Sequence, residues 1–169
     1  MTPRPPTADP APFQWPLRVY WEDTDAGGVV FYANYLKFFE RARTEWLRAL
    51  GVGQQALRDS SGAMFVVSQT HLRYLAPARL DDLLGVTVTL HTAGRASMTL
   101  FQQAWKLPEN PTEPRQTPAL LAEGSIRIGC VDAGTFRPCR IPTPVLSVLP
   151  SALPAALPPS PRFAPSTPP

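Results

Sequence analysis

Residues 22–50 read EDTDAGGVVFYANYLKFFERARTEWLRAL, and this stretch decides the fold because its periodicity changes near the middle. Its second part predicts a long amphipathic helix from Tyr35 to Leu50, since apolar side chains recur every three or four residues. The apolar positions are Leu36, Phe39, Trp46, Leu47 and Leu50, with Lys37, Arg41, Glu45 and Arg48 mainly on the other side. Asn34 is the predicted N-cap of this helix, and Gly51 is the predicted residue just beyond its C-cap.

The sequence around this helix is typical of β-strands. A short β-prone run, Leu17–Trp21, precedes the helix, and a second short helix is predicted at Gln54–Ser60. Further strands are predicted at Met64–Tyr74, Leu84–Ala93, Ser97–Lys106 and Ala119–Asp132. Along Leu84–Ala93 the alternation is clean, which indicates one buried face and one more polar face. Because consecutive strands with mostly short links favour antiparallel pairing, and one long helix must cover one side of the sheet, we predict an α+β fold.

Proline is concentrated at the two ends of the chain. Six of the 22 prolines lie in residues 1–16 and ten lie in residues 142–169. Proline supplies no backbone N–H, and segments rich in Pro, Ser and Ala bury too little apolar surface to offset the entropy of ordering. We therefore predict disordered arms at residues 1–14 and 142–169, and one folded domain at residues 15–141.

Composition excludes several functional classes. The net charge of +3 suits an anionic small molecule but is too small for a nucleic-acid-binding surface. No run of about 18 apolar residues is present, which argues against a membrane span. Cys130 and Cys139 have no metal-ligand spacing with each other or with His71 and His91, so we expect free thiols, no metal, no cofactor and a cytoplasmic location.

The segment Glu22–Leu36 carries the residues suited to chemistry. Asp23 and Asp25 stand between a predicted strand and the start of the long helix, together with the pair Gly27 and Gly28. Unpaired N–H groups at a helix N-terminus can stabilise an oxyanion, and a nearby carboxylate can attack a carbonyl or take a proton from water. A thioester suits this small set of groups, because a thiol with a pKa of about 8.5 departs without a dedicated acid.

This segment resembles the 4-hydroxybenzoyl-CoA thioesterase branch of the hotdog-fold superfamily, and is most similar to the acyl-CoA thioesterases associated with the Tol–Pal system. The other matching segments are Arg18–Trp21, Phe38–Arg48, Tyr74–Asp82 and Gly94–Ser97. The resemblance spans about residues 15–140. It implies a hotdog fold, in which a curved antiparallel sheet wraps a long central helix, and a homodimer or homotetramer. It also implies hydrolysis of acyl-CoA or acyl-carrier-protein thioesters, with lipid-synthesis or Tol–Pal-linked proteins as candidate partners.

The same resemblance implies roles for five residues. Asp25 matches the family's essential carboxylate, the second Asp of an Asp-x-Asp pair, and would act as general base or nucleophile. Tyr32 stands where Tol–Pal-associated members usually carry His; aromatic-CoA thioesterases of this branch lack that His and polarise the carbonyl with the backbone N–H, which Tyr32 can supply. Arg95, Ser97 and Arg137 match positions that meet the pantetheine and phosphates of CoA. Asp23, by contrast, is expected to cap a turn.

Two alternatives within the same fold remain open at this point. One is a protein that binds acyl-CoA, or docks lipid-synthesis enzymes, without turning a substrate over. The other is the hydratase branch of the superfamily, which depends on a His in its site and is therefore less compatible with Tyr32. An EF-hand loop starting at Asp23 is excluded, because Asn34 stands where the loop needs an acidic residue.

Overall fold

The computed structural model describes residues 12–109 and 117–151 of the chain. The strands are β1 (Phe13–Arg18), β2 (Ala63–Tyr74), β3 (Leu83–Ala93), β4 (Ser97–Lys106) and β5 (Ala119–Asp132). The helices are α1 (Asn34–Ala49), α2 (Gln54–Ser61) and the short α3 (Thr143–Leu146), with a 3-10 turn at Trp21–Asp23. Residues 1–11 and 152–169, on which most of the two predicted arms fall, lie outside the described residues.

The five strands form one antiparallel sheet in the order β1-β3-β4-β5-β2. β3, β4 and β5 follow one another as neighbours, while β1 and β2 form the two edges. β2 and β5 pair along most of their lengths, from Ala63 opposite Asp132 to Tyr74 opposite Ala122. The predicted α+β hotdog architecture, a long helix against a single antiparallel sheet, is confirmed.

Helix α1 packs its apolar face onto the sheet, and this contact makes the core. The residues that α1 buries most completely are Tyr35, Phe38, Phe39, Ala42, Trp46 and Leu47. The matching positions of β3 are Leu84, Val86, Val88 and Leu90, the face that the alternation of the sequence predicts. Leu36, predicted to lie on the apolar face of the helix, is 41 % exposed, whereas Phe38, which that prediction does not include, is fully buried.

A polar connection crosses this apolar interface. Arg43 of α1 donates from Nη1 to Oε1 of Gln102 at 2.9 Å, and Gln102 donates from Nε2 to the Phe39 carbonyl at 3.0 Å. Gln102 is fully buried and Arg43 nearly so. Burial lowers the pKa of Arg43, an effect that Glu40 opposes. Because buried polar groups are costly unless they are paired, these two hydrogen bonds fix the helix against β4 in one position.

Two predicted boundaries before α1 are wrong. β1 ends at Arg18 and not at Trp21, because residues 21–23 turn into the 3-10 segment and leave Trp21 78 % exposed. The N-cap of α1 is Ala33, and Asn34 is the first helical residue. The Asn34 amide is buried and donates to the Asp23 carbonyl at 2.9 Å, so its side chain ties down the preceding loop and does not cap the helix. Gly51 follows the helix with a φ of 83°, as predicted for a residue beyond the C-cap.

The chain remains packed beyond the predicted domain boundary at residue 141. Helix α3 follows Ile141, and its Val145 side chain is only 1 % exposed. Leu149 also packs against the core. The prediction of a disordered tail is therefore wrong for residues 142–149, because Val145 and Leu149, which follow the two prolines of this segment, pack apolar side chains against the core. None of the helices in the described part of the chain combines the length and apolar character needed to cross a membrane.

The pairing of β5 with β2 generates a test of the sheet. A Cβ added at Gly124 would collide with the His71 carbonyl oxygen and the Leu72 side chain, while a Cβ at Gly129 would meet nothing within 4 Å. We expect Gly124→Ala to lower the free energy of unfolding by about 1–3 kcal/mol, because a close-packed strand must move. Gly129→Ala, in the same strand, should change it by less than about 0.5 kcal/mol. Denaturant unfolding of both variants measures the difference, and equal stability would contradict the close approach of β2.

Candidate functional site

The segment from Thr24 to Val30 folds back on itself as a small loop in front of α1. A bridge between Thr24 and Val30 closes it, and the Asp25 N–H donates to the Val29 carbonyl at 2.9 Å. Gly28 donates to the Asp25 carbonyl at 3.0 Å and has a φ of 73°, a conformation that favours glycine. Gly28, one of the two glycines of the motif, thus makes the turn that presents Asp25.

This loop is fastened to the segment that precedes β3. The Val30 N–H donates to the Ala78 carbonyl at 2.9 Å, and Val29 bridges Arg79. Asp82 stabilises that segment, since its buried carboxylate accepts the Arg79 N–H at 2.8 Å and pairs with the Lys106 ammonium group at 2.6 Å. The loop therefore lies at the end of the sheet where β3 begins.

The two aspartates of the motif differ in burial and in hydrogen bonding. Asp23 is 5 % exposed, and its Oδ2 accepts the Tyr20 N–H at 2.9 Å, which caps the 3-10 turn. Its main-chain carbonyl accepts the Phe31 N–H at 2.9 Å and the Asn34 amide. Asp25 is exposed; its Oδ1 accepts the Gly27 N–H at 2.8 Å, and its Oδ2 accepts no hydrogen bond from the described residues. Asp23 is a structural residue, as the sequence predicts, and Asp25 presents a free carboxylate oxygen to solvent.

Tyr32 lies where the loop meets the helix. Its ring is 64 % exposed and contacts Phe31, with 4.6 Å between ring centroids. Its carbonyl accepts a hydrogen bond from the Tyr74 hydroxyl at 3.0 Å. Its N–H donates to no acceptor within residues 12–109 and 117–151. A backbone donor thus stands unused at the start of α1, where the helix dipole also favours negative charge.

Arg95, Ser97 and Arg137 gather at the other end of the sheet. The Ile141 N–H donates to the Arg95 carbonyl at 2.8 Å, and the Asp132 N–H donates to the Arg137 carbonyl at 2.9 Å, which brings the β3–β4 turn beside the segment after β5. Ser97 Oγ accepts a hydrogen bond from Arg127 at 3.3 Å. The sequence alone does not mark Arg127 as a member of this group; the pairing of β5 with β4 places it beside residues 97–99.

The structure does not bring the two predicted groups together within one chain. The Asp25 loop lies at the Leu83 end of β3, and Arg95 follows Ala93 at the opposite end of the same strand. An 11-residue strand at about 3.3 Å per residue separates these ends by about 30 Å. Asp25 and Tyr32 belong to one cluster, whereas Arg95, Ser97 and Arg137 belong to another.

The two cysteines lie beside the second cluster. The sulfur atoms of Cys130 and Cys139 are 3.5 Å apart, and both are free thiols. Burial, with a further contribution from Cys139, raises the pKa of the Cys130 thiol to about 12, so this thiol stays protonated and unreactive near neutral pH. Within the described ranges, no three His, Cys, Asp or Glu side chains are grouped so that they could hold a metal ion.

The known proteins that match this chain include thioesterases. The family model described as "Thioesterase-like superfamily" matches residues 19–149. The chain is 42 % identical over 133 residues to the acyl-CoA thioesterase YbgC of Haemophilus influenzae, covering 79 % of this chain and 90 % of that protein. It is 42 % identical over 135 residues to the acyl-CoA thioester hydrolase YbgC of Escherichia coli, covering 80 % and 93 % respectively.

Solved structures share the fold. A probable thioesterase from Bartonella henselae superposes with a TM-score of 0.67 at 29 % identity, covering 78 % of this chain and all of the other. A mutant 4-hydroxybenzoyl-CoA thioesterase in complex with 4-hydroxybenzoyl-CoA superposes with a TM-score of 0.72, covering 80 % and 96 %. At 15 % identity the latter supports the fold alone.

The contrast between the two aspartates can be tested through stability. Asp23→Ala removes the buried acceptor of the Tyr20 N–H, so we expect it to lower the free energy of unfolding by about 1 kcal/mol or more. Asp25→Ala acts on an exposed turn and should change it by less than about 0.5 kcal/mol. Thermal melting of the two variants beside the wild type provides the measurement. A larger loss in Asp25→Ala than in Asp23→Ala would show that the roles are reversed.

Proposed function

Because the chain belongs to the thioesterase-like superfamily, we propose that it hydrolyses acyl-CoA thioesters with Asp25 as the carboxylate at the reacting carbonyl. The enzyme converts an acyl-CoA and water into a free acid and CoA. The observation that carries the assignment is the free, exposed oxygen of Asp25 on a loop that leads directly into a helix N-terminus with an unused N–H.

The chemistry follows from these groups. Acting as general base, Asp25 takes a proton from water while the water oxygen bonds to the thioester carbon. Acting as nucleophile, the carboxylate bonds to that carbon and forms an anhydride, which water then hydrolyses. In either sequence the carbonyl oxygen becomes an oxyanion that accepts the Tyr32 N–H, and collapse of the tetrahedral species expels the CoA thiolate. Both routes are compatible with the same two groups.

The second cluster, formed by Arg95, Ser97 and Arg137, supports binding of the CoA moiety. Arg95 and Arg137 are exposed at the same end of the sheet as Ser97, and guanidinium groups match the geometry of phosphate oxygens. A CoA that contacts them cannot present its thioester to Asp25 of the same chain, because the two clusters lie at opposite ends of β3. We therefore propose that the active site is shared between protomers of a homodimer or homotetramer.

The edge of the sheet supports such an assembly. β2 is 12 residues long and pairs with β5 on one side, and no strand of the described residues pairs with its other side; its Val67 side chain is 52 % exposed. A two-fold axis near the middle of β2 would pair this strand with its copy in antiparallel fashion. The Tyr74 end of one β2, which lies beside Tyr32, would then approach the Ala63 end of the other, which lies beside Asp132 and the second cluster.

Other parts of the proposal rest on family resemblance. An acyl carrier protein could deliver the acyl group in place of CoA, and the resemblance favours a cytoplasmic enzyme with lipid-synthesis or Tol–Pal-linked proteins as partners. A non-catalytic acyl-CoA-binding protein is the alternative that the kinetic experiment below excludes or establishes.

Asp25→Asn tests the chemistry directly. The substitution keeps the shape of the side chain but removes the charge that attacks or accepts a proton. We expect kcat to fall at least about a hundred-fold, with KM within a few-fold of the wild type, because binding depends on other groups. Release of free thiol from a panel of acyl-CoAs measures both constants.

Asp23→Asn is the matched control, because it makes the same chemical change two residues away and should reduce kcat far less. More than a third of wild-type turnover in Asp25→Asn would disprove the catalytic assignment. A wild-type protein that binds acyl-CoA but hydrolyses none of the panel would establish the binding protein instead.

Subunit sharing is tested by complementation. Asp25→Asn and the double variant Arg95→Ala/Arg137→Ala each damage one half of the proposed site. In a 1:1 mixture of co-expressed chains, half of the dimers are mixed and each has one intact site, so about a quarter of wild-type activity should return. In the control, both chains carry Asp25→Asn and one also carries the two arginine substitutions, so no activity should return. Absence of recovery in the first mixture would place both clusters of one site in the same chain.

A further inference from the structure

We propose that Tyr74 is a positioning residue for this reaction, whose hydroxyl orients and polarises the backbone at the start of α1 through its hydrogen bond to the Tyr32 carbonyl. This inference rests on the proposed function, because it concerns the backbone donors that would face the thioester oxyanion. The observation behind it is the 3.0 Å hydrogen bond from the Tyr74 hydroxyl to the Tyr32 carbonyl, which joins residues 42 positions apart in the sequence.

The hydroxyl acts on a peptide group whose N–H is also unused. The carbonyl of Tyr32 and the N–H of Ala33 belong to the same peptide unit, and neither Ala33 nor Tyr32 donates its N–H to an acceptor among the described residues. A hydrogen bond accepted by a carbonyl strengthens the N–H of that peptide as a donor, because polarisation passes along the chain of dipoles. Tyr74 therefore makes the Ala33 N–H a stronger donor. It also fixes the plane of the Tyr32–Ala33 peptide, which adjoins the Tyr32 N–H.

Backbone and ring contacts hold Tyr74 in position beside Tyr32. It is the last residue of β2, opposite Ala122, and the next two N–H groups both donate to the Leu121 carbonyl, at 2.8 Å and 3.1 Å. Its ring also packs edge-on against Tyr35, with 5.5 Å between centroids, and Tyr35 is buried in the first turn of α1. The hydrogen bond from the Tyr74 hydroxyl thus ties the junction between the loop and α1 to strand β2.

The hydroxyl is a donor over the whole neutral range. Partial burial raises the pKa of Tyr74 above its ordinary value, and the neighbouring Tyr32 adds to this effect. The proton therefore stays on Tyr74, which excludes a role as general base near neutral pH. A hydroxyl that keeps its proton and donates to the Tyr32 carbonyl affects the rate by placing and polarising the backbone donors beside it.

The test is Tyr74→Phe, which removes the hydroxyl and keeps the ring that packs on Tyr32 and Tyr35. We expect kcat to fall about three- to ten-fold, the effect of one neutral hydrogen bond, with KM within about two-fold of wild type. The melting temperature, the mass in solution and the shape of the pH–rate profile should not change. Tyr20→Phe, which removes a hydroxyl from a 63 % exposed tyrosine that precedes the same motif, is the control and should behave as wild type.

A second readout does not depend on turnover. In the ¹⁵N-labelled protein, loss of the hydrogen bond to the Tyr32 carbonyl should move the Ala33 amide resonance upfield in Tyr74→Phe and leave it in place in Tyr20→Phe. Unchanged kcat in Tyr74→Phe would overturn the inference, as would a fall in kcat accompanied by a lower melting temperature or a loss of the alkaline limb of the profile. An inactive wild type would instead refute the proposed function, and the amide shift would still show whether Tyr74 polarises this peptide.

Discussion

The contact between α1 and the sheet is the constraint on which the rest of the molecule depends. Phe38, Phe39 and Trp46 are buried against β-strand side chains, and the Arg43–Gln102 hydrogen bond fixes the helix along its axis. Each buried aromatic side chain contributes about 2–3 kcal/mol, so rotation or translation of α1 would cost far more than any single loop contact could return. The first turn of the helix is therefore held at the end of the sheet where β3 begins, and the loop that precedes it must fold there.

Within that loop, one carbonyl organises the rest. The Asp23 carbonyl accepts hydrogen bonds from the Phe31 N–H and from the Asn34 side chain, so it joins the start of the loop to the start of the helix. The Asp23 carboxylate accepts the Tyr20 N–H and so caps the preceding turn. Asp25 is thereby left on the part of the loop that projects into solvent, with one oxygen bonded to Gly27 and the other open. Two aspartates separated by one residue have different environments because one is inside this network and the other is outside it.

The sequence predicts most of the fold but only part of the site. The periodicity from Tyr35 onward and the alternation from Leu84 onward are local signals, and they predict α1 and β3 within two residues. Local signals fail where a tertiary contact decides the outcome. Asn34 has the side chain of an N-cap but is drawn inward by a carbonyl 11 residues earlier. Tyr74 looks like an ordinary end of a strand, and only the packing of β2 beside the helix start brings its hydroxyl to Tyr32.

The proposed mechanism tolerates a change of side chain at position 32. In the proposed mechanism the oxyanion is bound by an N–H that every residue except proline supplies, and the position of that N–H is set by Asp23, Asn34 and Tyr74. The ring of Tyr32 points away from this task, since it is mostly exposed and packs on Phe31. Compared with the His that the family resemblance leads us to expect, Tyr32 removes an imidazole from the neighbourhood while leaving the backbone donor in place. The requirement that remains is a rigid junction between loop and helix, which the sheet provides through β2.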